Sequence, residues 1–342
     1  MSTKRERYNA AIQRAKGLLE MAAALYETSL SFQSKREAEN VVQTDTRLGH
    51  KLKLSLIAKF PAGKDSISLS LAAHSFREIR AVAEGKLSLA WLNASAAATL
   101  AYRGKGPFSK PVPLRTVAVF PSYDVMGFAV HESTGIASLA QIKQERFPLK
   151  LSTGRVSQSF IKDSTTMFTV TAVMQAAGFT LADVRRWGGK LHSTPRPSDP
   201  DRLAVIDKGA VNAIFDEGIK SWAQAALDHG FRFLPVEGAV RKRLVAMGYR
   251  PTIMPKARFH GLPQDIPTID FSGWPMVVRA DMPDDVAYAL CEAIERRQDL
   301  MPTDNYEPLD IAQLCSNDEE APYDVPLHPG AKRFYRERGY MK

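Results

Sequence analysis

Hydrophobic and polar positions change period several times along this chain. Across residues 5–38, Ile12, Leu18, Leu19, Ala22, Leu25 and Tyr26 fall on one side of a helix, with Arg14, Lys16, Glu20 and Glu27 between them. Residues 41–46 form a polar linker. Residues 51–59 alternate Lys and Leu and read as a strand that ends at Phe60-Pro61-Ala62-Gly63. Residues 69–84 read as a helix closed by Gly85. A short buried strand, 87–92, leads through the helix cap Asn93-Ala94-Ser95 into a small-residue helix, 96–102. Strands at 114–120 and 125–131 flank a Pro-Ser-Tyr-Asp turn.

Beyond that point helices and strands alternate. The pattern predicts helix 138–144, strand 149–152, a long polar loop 153–164 and helix 165–177. Strand 187–192, helix 201–208, strand 210–215, helix 219–229, strand 232–236 and helix 239–247 follow. Residues 266–279 read as strand with a bulge at Ser272-Gly273. Residues 284–298 form a helix with Pro283 near its start, and 331–338 a last basic helix. This alternation predicts an α/β architecture. Ligands of such sheets bind at the carboxyl ends of strands. The loops 59–63, 93–95, 153–165 and 216–218 are therefore the places to search.

Composition narrows the picture by exclusion. The 342 residues are 44% hydrophobic and 24% charged, as in a soluble globular protein. The length suits about two domains. Two cysteines, Cys291 and Cys315, are too few and wrongly spaced for a disulfide scaffold or a zinc ribbon. No window approaches the ~20 apolar residues of a membrane span, so no stable membrane insertion is expected. Lys plus Arg is 46 and Asp plus Glu 37, a net charge of +9. Residues 1–60 hold eleven of the basic and six of the acidic residues, net +5. No stacking motif or recognition helix accompanies this excess, so nucleic acid is not the expected partner. Charges also interrupt the apolar positions after Lys4, Arg5 and Arg7, unlike a secretory signal. The expectation is a cytoplasmic protein. The apolar face of helix 5–38 must be covered, by the rest of the chain or by a second subunit in a homo-oligomer.

Several blocks in order carry a resemblance. They include Leu89-Ala90-Trp91-Leu92-Asn93-Ala94-Ser95, Ala101-Tyr102-Arg103-Gly104, Gly106-Pro107-Phe108 and Ser133-Thr134-Gly135-Ile136. Ala177-Gly178-Phe179-Thr180, Arg279-Ala280-Asp281-Met282-Pro283 and Pro326-Leu327-His328-Pro329-Gly330-Ala331 follow. Over about residues 50–342 the chain resembles the TAXI family of TRAP-transporter solute receptors. These are relatives of the thiamine-precursor-binding-like proteins and have a type 2 periplasmic-binding-protein fold. The resemblance implies two α/β lobes joined by two hinge strands, 125–131 and 266–279, after an N-terminal helical extension, 1–45. Lobe one would be 46–130 plus 268–342, and lobe two 131–267. It implies a small carboxylate, such as an amino acid, a 2-oxo acid or an aromatic acid, in the cleft between lobes, with no cofactor and no metal. The chain departs from the family in its start, in Lys59-Phe60-Pro61-Ala62-Gly63-Lys64 and in the length of 153–164.

An anion site needs N–H donors at a helix start, hydroxyls and a cation. Ser164 and Thr165 enter a helix, Thr153 follows a strand, and Arg155 supplies charge for a bidentate carboxylate contact. Asn93 and Ser95 lie at another strand end, where helix capping is the competing role. Lys59 ends the first strand. Asp216 and Glu217 follow strand 210–215 and suit either a ligand proton or a helix start. A second reading keeps the fold and makes the chain a cofactor-independent decarboxylase of a small, hydroxyaromatic or other, carboxylic acid. His192 and Asp216 would then be its catalytic groups. No Ser-His-Asp order and no phosphate-binding Gly loop occurs.

Overall fold

The computed structural model describes residues 44–45, 51–57, 66–71, 75–87, 89–195, 197–296, 298 and 309–342. The expected helix 5–38 and Lys59 lie outside these residues. In chain order the elements begin with strands β1 (Thr44–Asp45), β2 (Lys51–Ile57) and β3 (Ser66–Leu71) and helix α1 (Ser75–Ala83). Next come β4 (Leu89–Trp91), α2 (Ser95–Tyr102), β5 (Leu114–Phe120), β6 (Gly127–His131), α3 (Leu139–Gln144) and β7 (Lys150–Thr153). Helices α4 (Gln158–Asp163), α5 (Thr165–Ala176) and α6 (Leu181–Arg186) precede β8 (Lys190–Ser193), α7 (Pro200–Asp207) and β9 (Ala213–Asp216). The chain continues through α8 (Ala223–Asp228), β10 (Phe231–Phe233), α9 (Gly238–Met247), β11 (Pro251–Met254) and β12 (Ile266–Ile269). It ends with β13 (Trp274–Arg279), α10 (Asp284–Arg296) and α11 (Pro329–Glu337).

These elements form two compact units. Among the described residues, the first holds those from 44 to 102, from 110 to 123 and from 272 to 342; the second holds those from 103 to 109 and from 124 to 271. The sheet of the first unit runs β1-β2-β3-β4-β13-β5, and that of the second β10-β6-β9-β7-β8. In the first, β3 and β4 are parallel and β13 lies antiparallel between β4 and β5. In the second, β7 is parallel to both β8 and β9, while β6 lies antiparallel between β9 and β10. In the second sheet β6 is the single strand that runs against the others; in the first, β13 runs against β4 and β5, and β2 runs against β1 and β3. β6 is the first strand after Tyr123/Asp124, and β13 the first after Phe271/Ser272. This is the plan of the type 2 periplasmic-binding-protein fold.

β6 belongs wholly to the second sheet, and the two units divide at 123/124 and 271/272. Residues 266–279 are two strands, because the chain turns at Gly273, whose φ of +76° disfavours any side chain. A Cβ there would stand 2.6 Å from the Ser95 hydroxyl oxygen and 2.9 Å from Val119 Cγ1. Within the second unit Phe271 N–H donates to Asp124 O (3.0 Å), and within the first Gly273 N–H donates to Ser122 O (2.9 Å).

Three further elements differ from the sequence reading. Residues 66–71 form a strand, where 69–84 had read as one helix. Ser-Ile-Ser-Leu-Ser-Leu has period two, and the helix starts only at Ser75. The polar loop 153–164 contains α4, capped by the Ser157 hydroxyl. Residues 219–229 split into a 3₁₀ turn and α8 at Trp222.

Each unit has its own core. In the first, Leu89, Trp91, Val117, Phe120, Met276, Val278, Leu290, Ile294, Phe334 and Tyr335 are all buried together. α10 and α11 cover this face of the sheet, and the Tyr335 hydroxyl donates to Val117 O at 3.0 Å. Burying such a phenol leaves its O–H needing a partner, which the strand carbonyl supplies. In the second, Phe128 and Phe215 meet edge to face at 5.2 Å, and Trp222 stacks on Phe233 at 5.6 Å. Gly127 lets that indole lie against β6, since a Cβ would stand 2.8 Å from its ring carbons.

Candidate functional site

Three parallel strands of the second unit, β7, β8 and β9, end on one edge of the sheet at Thr153, Ser193 and Asp216. Loops from these ends bring together most of the polar groups buried in this unit. Ser152, Thr153, Ser164, Thr165, Thr194, Arg202 and Asp216 are all buried.

The centre of this edge is an ion pair. Arg202, on α7, is 0% exposed and donates from Nη2 to Asp216 Oδ2 at 2.5 Å. The same nitrogen reaches the Thr194 hydroxyl at 2.6 Å, and Nε reaches the Ser152 hydroxyl at 3.3 Å. One guanidinium therefore ties the ends of β7, β8 and β9 to α7. Its Nη1 is buried without a hydrogen-bond partner. A buried charge is tolerated only when paired and bonded, so this free donor is an unusual feature of the site. Asp199 caps α7 and Pro200 fills its first turn, which fixes the helix start and aims Arg202 inward.

The second feature is the N-terminus of α5. The Ser164 hydroxyl accepts from Met167 N–H at 3.3 Å. The N–H groups of Thr165 and Thr166 have no intrahelical acceptor, as in any first turn. Beside them the Thr165 hydroxyl is buried and has no hydrogen-bond partner. Leaving a hydroxyl so costs about 1–3 kcal/mol. Two N–H donors, a free hydroxyl and the positive end of a helix dipole together form an oxyanion-binding arrangement.

The third feature is a group of carboxyls. Asp124 accepts from Gly218 N–H (2.7 Å), Val125 N–H (2.8 Å) and Ile219 N–H (3.3 Å). It also shares a hydrogen bond with Glu217, and burial pushes its pKa up to about 6. Glu217 lies well above the ordinary carboxylate range, through burial first and then the charges of Asp124 and Asp216. Asp216 is raised by burial, against the pull of Arg202. Glu217 Oε1 faces the Thr166 hydroxyl at 3.5 Å, which sets the carboxyl group beside the start of α5. Gly218, with φ +65°, makes the tight turn after Glu217; a Cβ there would meet Pro197 Cβ at 2.6 Å.

The structure sorts the sequence-predicted residues. Ser164, Thr165, Asp216 and Glu217 come together at this edge. Thr153 is at the edge too, but its hydroxyl is already donated to Phe215 O at 2.7 Å, so it is a structural tie. Arg155 is exposed, with its guanidinium 6.0 Å from the Phe160 ring centroid. The buried cation at this edge is Arg202. Asp216, assigned as a catalytic acid in the decarboxylase reading, is engaged by that arginine. His192 pairs in register with Ser152 and is partly buried, with Nδ1 unpartnered. Asn93 and Ser95 belong to the first unit. There the Asn93 backbone exchanges bonds with the Ser75 hydroxyl, and Ser95 N–H donates to Ser272 O and Gly273 O. The Ser95 hydroxyl is buried without a partner. Among the described residues no three His, Cys, Asp or Glu side chains converge as metal ligands, and no helix is long and apolar enough to cross a membrane.

Comparison with known proteins gives one family and a set of solved structures. The model of the NMT1-like family matches residues 52–339. XAC2383 from Xanthomonas citri bound to chloride ion aligns at 12% identity and TM-score 0.38, over 78% of this chain and 80% of its own. PhnD1 from Prochlorococcus marinus in complex with methylphosphonate aligns at 9% identity and TM-score 0.37, over 79% and 85%. The alkanesulfonate-binding protein SsuA from Xanthomonas axonopodis pv. citri, bound to MOPS, aligns at 13% identity and TM-score 0.31, over 79% and 82%. Likeness at that level transfers no ligand.

Proposed function

The chain belongs to the NMT1-like family, and from that premise we propose that it is a solute-binding protein for a small anionic molecule, a carboxylate, held at the start of α5. The observation that carries this reading is the Thr165 hydroxyl, buried and unpartnered beside the first-turn N–H groups of a twelve-residue helix. An oxyanion placed there gives the Thr165 hydroxyl the partner it lacks. Asp216 is tied to Arg202, which favours binding over decarboxylation. The ordered sequence blocks, with Pro326-Leu327-His328-Pro329-Gly330-Ala331 at the end, support the finer reading of a TAXI-type receptor.

A thermal-shift and calorimetric screen tests this. Acetate, benzoate, 2-oxoglutarate, methanesulfonate and methylphosphonate are compared on the wild type and on Thr165→Val. A carboxylate that stabilises the wild type, is recovered unchanged and binds Thr165→Val at least about tenfold more weakly supports the reading, since a charge-assisted bond is worth about 1.5–3 kcal/mol. Stabilisation by the sulfonate or phosphonate alone refutes the carboxylate assignment. Equal binding by the variant refutes the site.

A further inference from the structure

Glu217 is the one carboxyl of its cluster that faces the start of α5. Its neighbours are fully committed. Asp124 accepts three backbone N–H groups and a hydrogen bond from Glu217, and Asp216 accepts from Arg202 and from Glu217 N–H. The charged groups acting on Glu217 are Asp124 from the segment before β6, Asp216 from β9 and Arg202 from α7. Three carboxyls therefore meet one guanidinium. Fully ionised, the group would carry two uncompensated negative charges next to a site built to receive a third.

We propose that Glu217 is a specificity-determining residue of the anion site, which accepts its ligand only while the Asp124–Glu217 pair holds a proton. This rests on the anion-binding reading above and deepens it. With the proton in place, Glu217 is a neutral acid that donates to Asp124 and keeps an oxygen toward Thr166. Without it, a carboxylate stands beside the α5 N–H groups and opposes the incoming anion through a buried, low-dielectric region. The high proton affinity that burial and its neighbours give Glu217 fits this role. An acid that lacks an amino group is the matching ligand class, because an ammonium group would instead favour the ionised pair.

The test measures affinity against pH. Calorimetry with 2-oxoglutarate and methanesulfonate, both fully ionised from about pH 5.5 to 8.5, is run on the wild type and on Glu217→Gln. Wild-type affinity is expected to fall by up to ~10-fold per pH unit above the pair's midpoint, as for any strictly proton-linked step. Glu217→Gln mimics the protonated acid and is expected to keep the low-pH affinity throughout. A flat wild-type profile, a rise with pH, or the same slope in Glu217→Gln overturns the linkage while leaving the anion site standing. Absence of binding at every pH in both proteins removes the anion site and the linkage together. A ligand-free readout stands beside these: carbon-13 titration of the side-chain carboxyls. Glu217 titrating in the ordinary range near pH 4 overturns the proposal, whatever the calorimetry shows.

Discussion

Arg202 and Asp216 form an ion pair at 2.5 Å with both side chains at most 1% exposed. The pair joins α7 to the end of β9, and through Ser152 and Thr194 to the ends of β7 and β8. Removing one partner of a buried pair leaves an uncompensated charge and costs about 3–5 kcal/mol. Arg202→Met is therefore expected to destabilise the second unit by that order in urea unfolding. Arg202→Met combined with Asp216→Leu is expected to recover much of the loss. Equal stability of wild type and Arg202→Met would show that the pair contributes nothing.

Thr165→Val separates stability from binding. The lost hydroxyl has no partner in the protein, so its replacement by a methyl of similar shape is expected to leave the melting temperature unchanged or slightly raised. The same change is expected to weaken anion binding. A substantial loss of stability would mean that the hydroxyl is bonded in solution.

The Asp124–Glu217 pair predicts how stability depends on pH. Both groups have folded pKa values above their unfolded ones. The folded state thus binds more protons than the unfolded chain once pH exceeds the unfolded value of ~4. The pair's contribution is complete below that value and is lost as pH rises through about 6 for Asp124 and through the strongly raised pKa of Glu217. Unfolding measurements from pH 4.5 to 8 are expected to show wild type losing stability relative to Glu217→Gln as pH rises. A constant difference between the two would contradict the shift.

Gly273→Ala is expected to be costly in the first unit. The new methyl would sit at φ +76° within 3.0 Å of Ser95, Val119 and Pro322. Left-handed strain together with overpacking is worth about 2–4 kcal/mol. Denaturant midpoints of the variant test this, and an unchanged midpoint would mean that the turn relaxes freely.

Much of the second unit was legible in the sequence. Leu149–Leu151, Ala213–Phe215 and the helix from Thr165 have clear periods and capping residues, and strand ends are where ligands of such sheets bind. Ser164, Thr165, Asp216 and Glu217 were reached that way. Arg202 was not, because Asp199-Pro200-Asp201-Arg202 reads as an ordinary polar helix start. Only the fold shows that the fourth residue turns inward. Asp124 was hidden in a Pro-Ser-Tyr-Asp turn for the same reason. Its partners Gly218 and Ile219 lie 94 and 95 residues away, and no local pattern encodes that contact. Arg155, close in sequence to the loop, is exposed, and the cation that the fold buries at this edge is Arg202.

The placement of β13 between β4 and β5 has a consequence for synthesis. When a ribosome has made the chain through residue 123, β4 and β5 exist but the strand that separates them does not. The whole of residues 124–271 must emerge before β13 can enter the gap. The second unit can therefore assemble as one contiguous stretch, apart from residues 103–109, while the first waits with two strands unjoined. Long-range pairing of this kind is slow and leaves strand edges open meanwhile. Nascent chains stalled when residue 271 has cleared the exit tunnel but β13 is still inside it are expected to be protease-resistant across the second unit and sensitive across 75–120. Release of β13 from the exit tunnel is the event that closes the first unit.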